Sequence, residues 1–392
     1  MTVFRSLFFL VVFLTISEGY AQYSERVRAT WNGEFFSPLD SAYEQNQEDC
    51  VIEGDTVYFY SHHFRCYGHG LLDGILPFYK ILKENELENA PLNIVLQLSS
   101  DCENSAHSNL IQLIRDIFHV NQLIVITPSN KRENLVFDRL VLHKGVPIDT
   151  PYFPNDLTFA FYSACPESIK YMHELKEQGF CDNLVYRGTP IENSVVADFV
   201  SFIKGRYHIN IPMKKGRVLF VERKSPQKII NQKSLVKTLK THGYDVQVVD
   251  FENLSIKNQI LAVAQSEYLI GVYGSNLVNA IFLDPNSKVM ILWPQYAKYF
   301  WSRRYCIIHS AFLSLGVTLI EFDKPDHPLD SYSCTNLEPN YFYRIGNKVC
   351  LKDEKKNLDA IINYPWPASF ELRTVNQYID PKDFLKVFHK LE

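Results

Sequence analysis

The amino-acid sequence predicts an α/β protein of two consecutive domains, each a parallel sheet covered by helices on both faces. Three observations carry this. The chain has 392 residues, long for one hydrophobic core and comfortable for two. From about Asp55, short runs rich in β-branched and aromatic residues alternate with amphipathic stretches of helical period. The alternation breaks at Gly205 and the loop "NIPMKKG", and then restarts.

Composition agrees with a globular fold: 46% of residues are hydrophobic and 21% are charged. With 40 basic and 44 acidic groups the formal net charge is −4, and Lys and Arg are scattered, the densest run being "IPMKKGR". A binder of nucleic-acid backbone would carry a basic surplus or stripe, so nucleic acid is not an expected partner.

The chain opens "MTVFRSLFFLVVFLTISEGYAQ", with one basic residue at Arg5, an apolar run, and the small Ala21 behind it. The run rises about 15 Å as a helix, roughly half a bilayer's hydrocarbon thickness. It reads as a signal peptide over residues 1–21, and the mature protein is expected to be soluble, without membrane association, in the secretory pathway or a periplasm. In such a compartment the eight cysteines read as disulfides rather than metal ligands. Cys50 with Cys66, Cys165 with Cys181, and Cys334 with Cys350 share one sequence separation, compatible with local staples. Asn253-Leu254-Ser255 is a glycosylation sequon.

In the first domain, residues 22–205, "DTVYFYS" and "LNIVLQL" are predicted strands around the helix-like "GHGLLDGILPFYKILKENELE", and "NLIQLIRDIF" leads into the strand "QLIVITP". Residues 145–183, rich in Pro, Tyr and Phe, fit no element. In "TPIENSVVADFVSFIKG", Thr189 and Glu192 form a capping box around Pro190, and Val195, Phe199 and Ile203 make an apolar stripe.

The second domain, residues 206–392, reads strand "RVLFVE", helix "NQKSLVKTLKTHG", strand "DVQVVDF", helix "SIKNQILAVAQSE", strand "YLIGVYG", helix "SNLVNAIFL", strand "KVMILWP", helix "KYFWSRRYCIIHSAFLSLG" and strand "VTLIEFD". "DPKDFLKVFHK" closes the chain as a terminal helix.

Ligands of open α/β sheets bind beyond the C-terminal strand ends, where helix N-termini favour anions. Gly271, Gly274, Ser275 and Asn276 stand at such a place, either as a phosphate cradle or as a tight turn with a Ser cap. After the first strand of the second domain, "VERKSPQKIIN" offers Arg223 and Lys228, which suit a diphosphate or simply decorate a solvated loop with Asn231 as the next helix cap. In the first domain His69 and Asp73 are four residues apart on a helix, as a general base and its partner or as a structural pair. There is no GxSxG elbow, P-loop or DxD motif, and Arg303-Arg304 reads as a surface pair.

In their order, "VERKSPQKIIN", "SIKNQILAVAQSE", "GVYGSNLVNAIFLDPNSKV" and "MILWP", with "GHGLLDGILPFYKIL" upstream, resemble glycosyltransferase family 61 from about Asp55 to Asp323. That family includes secretory enzymes adding N-acetylglucosamine to O-mannose or to EGF-like domains, and plant xylosyl- and arabinosyltransferases. The resemblance implies two facing Rossmann-like domains of GT-B type, with the donor held by the second and the acceptor by the first. It implies inverting transfer, without a metal or other cofactor, from a nucleotide sugar, uridine-linked by family habit, to a hydroxyl of a glycan or glycoprotein. Arg223, Lys228 and the Gly274 to Asn276 turn would hold the diphosphate, Asn231 and Asn279 match further family positions, and His69 or Asp73 becomes the candidate base. The chain departs from the family's pattern at Tyr273, where the family has His, at Ile291, where it has Glu, and at Gln227, where it has Arg. Those departures imply either an altered donor site or an inactive relative that binds nucleotide or glycan.

Overall fold

The structure is a computed structural model that describes residues 20–23, 27–31, 36–38, 50–61, 67–98, 105–127, 135–143, 193–224, 228–293, 315–322, 329–330, 342–345, 348–351 and 378–391. It is α/β with parallel sheets, divided into two compact units. The described residues to His143 belong to the first and those from Asn193 to the second.

In the first unit, β4 (Cys50–Ser61), β5 (Leu92–Leu98), β6 (Val120–Ile126) and β7 (Leu135–His143) lie parallel in the order β7-β4-β5-β6. The chain winds from β4 to one side through β5 and β6, then returns β7 to the other. The sequence reading has no strand at β7, nor at β1 (Tyr20–Tyr23) and β2 (Val27–Trp31), which pair antiparallel with β7. β3 (Phe36–Pro38) adds a further antiparallel edge. Residues 1–19 of the expected signal peptide lie outside the described residues, and the expected cleavage point after Ala21 falls within β1.

All seven residues of β5 are buried, as a strand covered on both faces requires, and Asn93 satisfies its amide on the Glu53 carbonyl at 2.7 Å. After β4 a single α-helical turn, α1 (Tyr67–His69), passes into a π-helical stretch, Gly70–Ile75, and then into α2 (Leu76–Glu84). Pro77 stands in the first turn of α2, directly after the π-helical stretch, and Leu76, Phe78, Tyr79, Ile81 and Leu82 form the buried stripe. Asn85 stops the helix and donates its side-chain amide to the Ile81 carbonyl at 2.8 Å. α3 (Ser105–Ile117) buries Leu110, Leu113, Ile114 and Ile117.

The second unit begins with α4 (Asn193–Arg206), which buries Val196, Phe199, Val200 and Ile203. The sequence boundary at Gly205 puts this helix in the first domain, whereas the structure groups it with the second. Burial lowers the pKa of Lys204 in its last turn, against the opposing pull of Asp284. The five-stranded sheet comprises β8 (Lys214–Val221), β9 (Asp245–Val249), β10 (Ser266–Val272), β11 (Lys288–Leu292) and β12 (Thr318–Phe322), every pair parallel. Numbered in chain order, the strands run 2-1-3-4-5 across the sheet. The winding direction therefore reverses between β8 and β10, and it is at such a reversal that open α/β sheets bind ligands.

One sheet face, including Val218, Phe220, Ile270, Val272, Met290 and Leu292, packs on α5 (Gln232–Thr241) and α7 (Pro381–Phe388) through Leu235, Leu239, Phe384 and Phe388. The other meets α6 (Ile256–Ala264) and the 3-10 helix Ser275–Phe282. The predicted terminal helix is present, with Asp380 capping the Lys382 and Asp383 amides at 2.8 and 3.2 Å. The segment "SNLVNAIFL", predicted as an α-helix, is 3-10 throughout, and every residue from Leu277 to Phe282 is buried. β13 (Leu329–Asp330), β14 (Phe342–Ile345) and β15 (Lys348–Leu351) form a small antiparallel sheet that the sequence did not disclose. The capping box at Thr189 to Glu192, the segment 145–183, the helix carrying Arg303 and Arg304, and the three cysteine pairings lie outside the described residues or side chains.

Candidate functional site

At the C-terminal edge of the second sheet, main-chain pairing continues one residue past each strand. Glu222 N donates to the Val249 carbonyl at 2.7 Å, Tyr273 N to the Leu292 carbonyl at 3.1 Å, and Trp293 N to the Phe322 carbonyl at 3.0 Å. The residues just beyond are therefore held by the sheet itself. Four of them matter here: Arg223 after β8, Tyr273 and Gly274 after β10, and Trp293 after β11.

Arg223 reaches across the reversal point. Its Nη1 donates to the Tyr273 carbonyl at 3.3 Å. Gly274 has φ 157° and ψ −178°, a conformation that is essentially glycine-only. A Cβ built there would overlap Arg223 Nη1, so the missing side chain leaves room for the guanidinium. The Tyr273 ring is buried, 8% exposed, and stacks on Trp293 at 4.0 Å between centroids and 18° between planes. The sequence reading singled out Gly271 for the same turn, but its role differs: a Cβ there would sit 2.9 Å from Leu277 Cδ2 and 3.3 Å from Val221 Cβ. Gly271 lets the 3-10 helix lie close on the sheet, and that helix in turn begins at Ser275, with the side chains of Ser275 and Asn276 half-buried. Gly274 holds the N-cap place, and no side-chain cap is made, so the expected Ser cap is absent.

The neighbouring cation Lys224 is taken up structurally. It is 60% exposed and pairs with Asp250 at 2.6 Å, and this hydrogen bond raises its pKa. Asp250 also accepts from Glu252 N and Asn253 Nδ2, closing the 3-10 turn Phe251–Asn253 after β9. Lys228 is exposed; residues 225–227 before it, Gln227 among them, lie outside the described residues.

Two family-matched asparagines hold the frame. Asn231 stands at the N-terminus of α5 without capping it; its Nδ2 donates to the Ile379 carbonyl at 2.6 Å and its Oδ1 accepts from Ile379 N at 3.0 Å. The partner is 148 residues away, which is why the sequence shows only a cap. Asn279 is fully buried and donates to Gln259 Oε1 at 2.9 Å, while Gln259 Nε2 donates to the Phe251 and Leu254 carbonyls. Ile291 is likewise fully buried, in register with Gly271 on β10.

The first unit places His69 at the last residue of α1 and Asp73 within the π-helical stretch, just beyond β4. A π-helical turn, bonded i to i+5, brings residues four and five apart onto one side. The side chains of His69 and Asp73 lie outside what the structure describes, whereas Tyr67 before them is buried, and burial pushes its phenol pKa up.

The family model "Glycosyltransferase 61" matches residues 67–290, from the helix that carries His69 to the strand that follows the Gly274 turn. The chain belongs to glycosyltransferase family 61. It is also 33% identical over 199 residues to the EGF domain-specific O-linked N-acetylglucosamine transferase of Drosophila melanogaster, a match covering 45% of this chain. That match spans 37% of the relative's own length. His69, Asp73, Arg223 and the Gly274 turn of this family 61 chain thus fall inside the matched segment, and Trp293 lies just beyond it. No helix among the described residues is long and apolar enough to cross a membrane.

Proposed function

We propose that the chain transfers a sugar of N-acetylglucosamine or xylose type from a uridine-diphosphate donor to a hydroxyl of a protein or glycan, with inversion and without a metal, in a secretory lumen or periplasm. The observation that carries this is Arg223 held over Gly274 at the reversal point of an all-parallel sheet. Arg223, Lys228 and the main-chain N–H groups of the Gly274 to Asn276 turn hold the diphosphate and take up its developing charge, the task a divalent cation performs elsewhere. The second unit is then the donor domain and the first the acceptor side of a GT-B architecture. The name of the Drosophila relative makes the hydroxyl of an EGF-like domain the first acceptor to try.

In the transfer, the acceptor oxygen forms a bond to the anomeric carbon, and the bond from that carbon to the phosphate oxygen breaks. Uridine diphosphate leaves with the electron pair. The acceptor proton passes to His69 or Asp73, whichever is the base, and the other orients it. Asn231 and Asn279 act on this site only through the frame they hold.

The departures at Tyr273 and Ile291 favour one second reading, a relative that binds the nucleotide without turnover, because neither residue supplies the charge of His or Glu. The test is titration of the signal-free protein with UDP, GDP, CMP and their sugars, with and without manganese, followed by a donor-consumption assay with an EGF-like domain. Metal-independent UDP binding, lost in Arg223→Ala, together with donor consumption, is the expected result. Binding without consumption selects the second reading, and no nucleotide binding overturns both.

A further inference from the structure

We infer that Tyr273 is a positioning residue for Arg223: its ring is a prop set against Trp293, and its carbonyl holds the guanidinium in the space that Gly274 leaves open. The inference rests on the donor-site reading above and explains how that site persists with Tyr where the family has His.

The main chain of Trp293 is held on β12 by its backbone N–H, which donates to the Phe322 carbonyl at 3.0 Å, and its side chain is enclosed by the protein, the residue being 1% exposed. The Tyr273 ring lies nearly parallel to it at 4.0 Å, and Tyr273 N is bonded to the Leu292 carbonyl at 3.1 Å. Ring and amide together hold Tyr273 on β11. Its carbonyl is thereby presented toward β8, where Arg223 Nη1 donates to it at 3.3 Å. The next residue, Gly274, keeps the volume beside that carbonyl empty of side chain, and Arg223 occupies it. A guanidinium whose edge is held by a carbonyl keeps its plane before any ligand arrives, so it meets a phosphate already ordered. On this account the residue at 273 holds Arg223 through stacking and through its main chain. A ring of similar size can then replace another without moving the cation.

The experiment titrates UDP and uridine into the wild type, Arg223→Ala, Tyr273→Phe, Tyr273→Leu, Gly274→Ala, and the double variant Arg223→Ala with Tyr273→Leu. Tyr273→Phe keeps UDP affinity within about twofold, whereas Tyr273→Leu weakens UDP about tenfold with uridine unchanged, the size expected when one charge-assisted bond is misplaced. The double variant binds UDP no worse than Arg223→Ala alone, because both changes remove the same interaction. Gly274→Ala crowds the guanidinium tip and also strains a glycine-only turn, so it falls at least to the Arg223→Ala level for UDP and keeps uridine; it serves as the test if Tyr273→Leu does not fold. The inference is overturned if Tyr273→Phe loses UDP as Arg223→Ala does, if the two losses multiply in the double variant, or if Gly274→Ala binds UDP as the wild type does. Each of those results leaves the donor site standing. A wild type that binds no UDP overturns the donor site and the inference with it.

Discussion

The two sheets put their candidate groups at equivalent places and support them differently. In each, the winding direction reverses beside the first parallel strand, β4 in one unit and β8 in the other, and the candidates follow that strand. After β8 the chain goes directly to Arg223, whose guanidinium is bonded to the neighbouring strand end. After β4 it goes, past residues 62–66, to a single α-turn and a π-helical stretch carrying His69 and Asp73. One topological rule locates both groups. It does not say what each does. A cation tied to the rim of an all-parallel sheet suits a bound anion that must stay, whereas a His and an Asp are groups that can exchange a proton, and they stand on a π-helical stretch of the kind frequent at functional sites.

This contrast is broken or sharpened first by separating chemistry from binding. In Asp73→Asn or His69→Ala, whichever removes the base, transfer falls by about 10²- to 10⁴-fold while UDP affinity stays at the wild-type value. Steady-state rates beside a UDP titration decide it. If both substitutions leave the rate intact, the first sheet's rim does not carry the base. The next largest effect belongs to the second rim. Arg223→Ala weakens UDP by about 10- to 100-fold, the worth of a charge-assisted hydrogen bond to phosphate. Its melting temperature without ligand shifts little, since the side chain is only half-buried. A variant that binds UDP normally would remove Arg223 from the site.

Much of the second unit was legible in the sequence because β8 to β12 are short runs of strand composition separated in the sequence by stretches of helical period. β8 to β12 and the terminal helix lie where the alternation places them. In the first unit, β7 was missed, although "LVFDRLVLH" has strand composition, because no helical run separates it from β6 as the alternation requires. Its partners β1 and β2 pair with it across more than a hundred residues, a separation that periodicity does not register. The site shows the same division. Arg223 and the Gly274 turn were visible as residue types at strand ends. That Gly274 accommodates Arg223, that Gly271 accommodates Val221 on the neighbouring strand, and that Asn231 serves Ile379 are facts of close approach between distant segments, which local spacing cannot contain.

Those close approaches give the third effect, on stability rather than on binding. Asn279→Ala leaves Gln259 Oε1 without its buried donor, at a cost of about 1–3 kcal/mol. Asn231→Ala frees both Ile379 main-chain groups and costs a similar amount, less whatever water recovers at this partly buried place. Denaturant melts measure both. UDP affinity at a temperature where the variants are folded should remain within a few-fold of the wild type. A loss as large as that of Arg223→Ala in Asn279→Ala would mean that this buried amide reaches the ligand after all.

The smallest effect lies at the opposite edge of the same sheet, where the strands begin. Lys288 donates to the Tyr268 hydroxyl at 3.3 Å, pairs with Glu267 at 3.5 Å and lies 4.9 Å from the centroid of the Tyr268 ring, while Glu267 also accepts from Gly216 N at 2.6 Å. Burial pulls the lysine's pKa down, but the Tyr268 and Glu267 partners outweigh it, and the net shift is upward. A folded-state pKa above the unfolded one means that the protonated group stabilises the fold. That contribution is fully present below the ordinary lysine value near pH 10.4, and it fades as pH rises through the raised value. Replacing the lysine by methionine should therefore cost about 1 kcal/mol or less at neutral pH, and the difference between wild type and variant should shrink toward strongly alkaline pH. Paired thermal melts from neutral to about pH 11 read this, the upper limit being set so that the lysine range is crossed. Curves that stay parallel throughout would assign the whole effect to packing of the side-chain stem. UDP affinity should not change in either case, because ligands of such a sheet sit at the other ends of its strands, where Arg223 is.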